Sequence, residues 1–112
     1  MSEYMIWGKP VDKRTYAMHR LRSATEYAEF AFSDGTVNPV CHGIAIFDHL
    51  PEALRLLNET GSYDRNVVQG LIGRIKNAVG VRGSEFHQNA LEQNLSLYPM
   101  VTAGGEQLRL LL

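Results

Sequence analysis

The sequence predicts a mainly α domain of about five short helices, with one or two short strands near the N-terminus and an α+β arrangement as the alternative. Three observations carry this expectation. Helix-start signals recur along the chain, at Ser23, at Asn38-Pro39, at Ser62 and at Ser84. Apolar residues recur at helical spacing, most regularly as Val67, Val68, Leu71, Ile72, Ile75, Ala78 and Val79. The chain has 112 residues and 45% hydrophobic content, which suits one folded domain over 1–112 and is too apolar for a disordered one.

Tyr4-Met5-Ile6-Trp7 is a short apolar run that reads as a strand, and Gly8-Lys9-Pro10 helps to end it. Residues 14–22 fit a strand with Tyr16 and Met18 on one face. They also fit a helix opened by Asp12, in which Ala17, Leu21 and Ala24 line up. Ser23 and Glu26 form a capping box, so a helix is expected to start there and run to Phe32, with Ser33-Asp34-Gly35 stopping it. Asn38-Pro39 marks the next start, because Asn caps and Pro at the first helical position loses no hydrogen bond. The run 40–47 is weakened by Gly43 and also fits a buried strand.

Pro51 suits the first turn of a helix and not its interior, which places another start at Asp48 or His49. Ala53, Leu54 and Leu57 would then be buried, with Leu56 at the edge of the stripe and Gly61 as the stop. Ser62 is expected to cap the clearest helix, residues 63–79. Gly70 and Gly73 interrupt it at about 1 kcal/mol each relative to Ala, a cost that close approach of another backbone would offset. Gly80-Val81-Arg82-Gly83 reads as a tight loop. Ser84 then caps a helix from residue 85 to about 97, with Phe86, Ala90, Leu91, Leu95 and Leu97 apolar and Pro99 at its end.

Charge is sorted into blocks. Residues 9–22 hold Lys9, Lys13, Arg14, Arg20 and Arg22 against Asp12, for +4, and residues 61–84 hold Arg65, Arg74, Lys76 and Arg82 against Asp64, for +3. Between them, residues 23–60 hold Glu26, Glu29, Asp34, Asp48, Glu52 and Glu59 against Arg55, for −5. The overall charge of −1 therefore hides alternating fields, able to hold the chain to itself, to a second copy or to a charged partner. A pI near 6.4 argues against avid non-specific nucleic-acid binding. A single Cys41 forbids an internal disulfide and leans toward a reducing compartment. No apolar run is long enough for a membrane span and the N-terminus lacks the pattern of a secretory signal, so a cytoplasmic location is expected.

The chemical signatures are weak. The segment around Arg82 resembles a helix-turn-helix only loosely, and Glu85 would put a carboxylate where a recognition helix meets phosphate. His42 and His49 are seven apart and would share a face of one continuous helix, beside Cys41 and Asp48. No HExxH or CxxC accompanies them, and His19 or His87 would have to complete a metal site. Cys41 and His42 are adjacent and so point apart, which does not suit a nucleophile and its base. Residues 80–84 could offer an anion the N-terminus of the next helix but lack the Lys of a P-loop. No motif calls for a cofactor or metal.

Gly104-Gly105 forms a hinge to an apolar tail over 104–112, in which Leu108, Leu110, Leu111 and Leu112 should dock on the core or associate with another copy. These features predict a non-enzymatic interaction or regulatory module of the adaptor, inhibitor or immunity class, acting through charged surfaces on a protein partner. Homodimer formation through the leucine tail is expected, and no membrane contact. The contact residues would be Arg65, Arg74, Lys76 and Arg82. The alternative is a small nucleic-acid-binding regulator using segments 9–22 and 65–82, with Lys13, Arg14, Arg20 and Arg22 joining the same set.

Overall fold

Asp12 decides where the first long helix begins. In the computed structural model, which describes residues 3–33 and 35–103, its carboxylate accepts the Thr15 backbone N–H at 2.7 Å and caps α1, Lys13–Ala31. The helix therefore runs straight through Ser23, and the expected capping box does not start one. Burial explains the choice: Ala17, Leu21, Ala24, Ala28 and Ala31 form one buried stripe, and a break at Ser23 would cut it in two. Ahead of α1, β1 (Tyr4–Ile6) pairs antiparallel with β2 (Lys9–Val11), Tyr4 opposite Val11. Trp7 and Gly8 make the connection with φ of 52° and 79°, the left-handed geometry a two-residue hairpin needs. Pro10 thus sits inside an edge strand instead of ending one. The Tyr4 ring packs against Tyr16 in a tilted arrangement, centroids 5.2 Å apart, and ties the hairpin to α1.

Asn38 caps α2 (Pro39–Ile44) as its sequence predicts, its Oδ1 accepting from the Val40 and Cys41 N–H groups, both at 3.1 Å. His49 takes the N-cap position of the next helix and Pro51 lies in its first turn, as expected, but no break separates that helix from α2. A π-turn, Ala45–His49, carries α2 directly into α3, Leu50–Thr60. The Leu50 N–H reaches back five residues to the Ala45 carbonyl. Pro51 then has no N–H for the Ile46 carbonyl, and the Asn94 side chain donates to it instead at 3.1 Å. Leu50, Ala53, Leu54, Leu56 and Leu57 are buried, so Leu56 belongs to the core and not to its edge. Gly61, at φ 65°, closes α3 with its N–H on the Leu57 carbonyl.

Asp64, not Ser62, caps α4 (Arg65–Arg82), accepting from the Val67 N–H at 3.1 Å. Val68, Leu71, Ile72, Ile75 and Val79 are buried, while Val67 lies partly open. Residues 80–82 continue this helix and do not form a loop; Gly83 ends it. Among the described residues no backbone of another segment approaches Gly70 or Gly73, where an added Cβ would meet nothing within 4 Å. Ser84 caps α5 (Glu85–Ser96), and α6 (Pro99–Thr102) follows. The Thr102 hydroxyl donates to the Leu95 carbonyl at 2.8 Å and Gln69 donates to the Val101 carbonyl at 2.7 Å, which lock α6 to α5 and α4. α1 lies at the centre, packed by α2, the π-turn, α3 and α4. The chain is a small, mainly α fold with one two-stranded sheet. No helix among the described residues is long and apolar enough to cross a membrane.

Candidate interaction surfaces

The charge blocks meet one another within the chain. Lys13 of α1 reaches Glu59 of α3 at 3.2 Å, and Glu59 also accepts from Arg55 at 2.6 Å. Arg20 donates to the Asp48 carboxylate at 2.9 Å, to its backbone carbonyl at 3.1 Å and to the Tyr16 hydroxyl at 3.0 Å. It therefore satisfies a carbonyl of the π-turn. Arg74 of α4 forks onto Glu29 of α1 with bonds of 3.0 and 2.5 Å. The Arg74 hydrogen bond holds the Glu29 carboxyl below its ordinary value, against the opposing effect of burial.

The eight cations expected to form a binding face are consequently spread over four places, each with a carboxylate. Lys13 and Arg20 lie against Glu59 and Asp48. Arg74 and Arg82 line a cleft with Glu29 and Phe32. Lys76 shares two shallow depressions with Glu92 of α5. Arg14 and Arg22 line a groove of about 410 Å³ opposite Tyr63, Asp64 and Val67. Arg65 stacks its guanidinium on Tyr63 at 5.3 Å beside that groove. Leu108, Leu110, Leu111 and Leu112 lie outside the described residues.

A second surface is aromatic and surrounds α2 and the π-turn. His42 is only 4% exposed, and its Nε2 has no hydrogen-bond partner among the described residues. Its ring meets Phe32 at 5.8 Å, Phe47 at 5.7 Å, Phe86 at 6.2 Å and His87 at 4.6 Å. Burial, and secondarily the field of His87, lowers the His42 pKa and favours the neutral ring. Phe47 and Phe86 are exposed on either side of it, at 58% and 63%. On the other flank of α2, Cys41 lines a shallow pocket of about 350 Å³ with Glu26, Tyr27 and Phe30, and Phe30 is likewise exposed.

His42 and His49 do not share a face. The π-turn between them inserts one residue, about 100° of helical rotation, so His49 instead stacks on Tyr27 at 5.6 Å. Its pKa is lowered by burial, with Arg20 adding to that effect. Among the described residues no group of three His, Cys, Asp or Glu side chains is placed to hold a metal. The N-terminus of α5 is already engaged: the Ser84 N–H donates to His87 Nδ1 at 3.1 Å.

Phe47 escapes sequence reasoning because it ends an apolar run that reads as core, Phe86 because it stands at helical spacing, i and i+4, from the apolar Ala90, and Phe30 because it falls in a helix with other apolar residues. The one available signal is the conflict of Pro51 with a continuous helix, which forces the irregular turn that lifts Phe47 to the surface. Set against protein-family models, curated proteins and solved structures, the chain matches none.

Proposed function

We infer that the chain is a non-enzymatic interaction or regulatory module, of the adaptor, inhibitor or immunity class, and that its principal contact surface is aromatic. The observation supporting this reading is the exposed pair Phe47 and Phe86 around the buried His42, continued across α2 by Phe30 and Tyr27. Large aromatic side chains lose free energy when left in water and are the usual anchors of protein interfaces. Phe47 stands on braced backbone: Asn94 holds one carbonyl of the π-turn and Arg20 another. The charged residues then act at the rim, guiding encounter more than supplying affinity.

A nucleic-acid track fits less well. It needs a run of cations free to neutralise successive phosphates, whereas Lys13, Arg20 and Arg74 are each held by a carboxylate of the same chain. Affinity capture of the tagged protein from its native lysate, with and without nuclease, separates the two. A protein retained after nuclease at near-equal stoichiometry is the expected result. Capture that collapses with nuclease would replace this reading with the nucleic-acid one. Self-association through the same surface predicts a molecular mass that rises with concentration in sedimentation equilibrium.

A further inference from the structure

The groove between α1 and the start of α4 has a composition that the aromatic surface does not explain. Arg14, Met18 and Arg22 are spaced i, i+4 and i+8 on α1 and so lie along one strip. Across from them stand Tyr63, Asp64 and Val67. Met18 and Tyr63 are half-buried and Val67 is 37% exposed, so the floor is apolar and open.

The two arginines are exposed and neither lies within hydrogen-bond or ion-pair distance of a described residue, unlike Lys13 and Arg20 on the same helix, although the charge of Arg14 is felt by Asp12, the cap of α1. Arg65, stacked on Tyr63, adds a third cation beside the groove. Among the described residues Asp64 is the one carboxylate lining it, and that group already accepts the Val67 N–H as the cap of α4.

The geometry points to a docking groove for an acidic amphipathic segment of a partner protein. Charge complementarity fixes the occupant. Arg14 and Arg22 stand about 12 Å apart along the helix axis, from eight residues at 1.5 Å each. A bound segment places an apolar side chain on Met18, Tyr63 and Val67 and sets a carboxylate toward each arginine, where a forked guanidinium–carboxylate pair can form. A nucleic-acid strand is disfavoured, because it needs a longer run of free cations at successive phosphates, and the neighbouring Lys13 and Arg20 are turned to carboxylates.

The test is selection of a displayed library of random peptides on the full chain, repeated on the double variant Arg14→Glu/Arg22→Glu and on Phe47→Ser/Phe86→Ser, with binding of selected peptides read by fluorescence anisotropy. Circular dichroism of each variant checks its fold, and both arginines are exposed, so melting should be unchanged. The expected peptides carry two acidic residues flanking an apolar one and bind the arginine variant at least roughly tenfold more weakly. The phenylalanine variant should bind them as the parent chain does. Should the arginine variant melt early, the milder Arg14→Gln/Arg22→Gln takes its place in the comparison.

Peptides without an acidic pattern, peptides indifferent to Arg14 and Arg22, or no selectable peptide would each overturn the groove. Peptides that depend on Phe47 and Phe86 instead would overturn it while leaving the interaction reading intact. Binding of a labelled single-stranded oligonucleotide that is lost in the arginine variant would overturn it in favour of nucleic acid.

Discussion

His42 shows how a single buried side chain links stability to pH. Its folded pKa is lowered from the ordinary 6.5 by burial and then by His87, and His49 shifts in the same direction. The unfolded chain therefore binds protons before the folded one does, and stability drops as pH falls below about 6.5 and levels off below the lowered folded values. Thermal melts across this range should show the decline, and His42→Leu should make it shallower. A melting temperature that does not change between about pH 7.5 and about pH 5.5 would contradict the assignment. Glu29 acts in a separate, more acidic window. Its contribution is present above 4.5 and is lost as pH falls through its lowered value. Gly70 and Gly73 are the other informative single residues. Both are exposed, helical and open to a Cβ, so Gly70→Ala and Gly73→Ala should each stabilise the chain by about 1 kcal/mol in chemical denaturation. Destabilisation by either would mean that another backbone does approach there.

At the scale of elements, the π-turn is the feature on which the aromatic surface depends. Pro51 removes a donor, and Asn94 of α5 replaces it on the Ile46 carbonyl. Asn94→Ala should cost about 1 to 2 kcal/mol in chemical denaturation by leaving that carbonyl unsatisfied. No loss would show that water serves equally well. The start of α4 gives a second test. Asp64→Ala should cost about 1 kcal/mol and Ser62→Ala almost nothing, whereas the reverse order would return the cap to Ser62.

These same elements show how far the sequence could be read. The mainly α class, the Asn38 and Ser84 caps and the N-terminal strand are legible because each rests on local chemistry. The continuous α1 is not, because two good starts, Asp12 and Ser23, compete and only the tertiary burial of Ala17 and Leu21 decides between them. The π-turn escapes a reading based on period 3.6 because it changes the period. The candidate surface follows its fate: Phe47 and Phe86 look like core until that turn and the position of α5 leave them outside.

For the whole molecule, the alternating charge blocks are in part an internal device. Lys13–Glu59, Arg20–Asp48 and Arg74–Glu29 each join segments far apart in sequence. Individually such exposed pairs contribute little, but opposite blocks favour the correct apposition of helices over others. On the proposed reading, what remains for a partner is the aromatic face and the groove lined by Arg14 and Arg22. The decisive measurement is quantitative affinity capture from native, nuclease-treated lysate with the parent chain and with Phe47→Ser/Phe86→Ser, both confirmed folded. A partner bound near one-to-one by the parent chain and lost from the variant is the expected result. Equal capture by both would contradict the aromatic face as the principal contact surface.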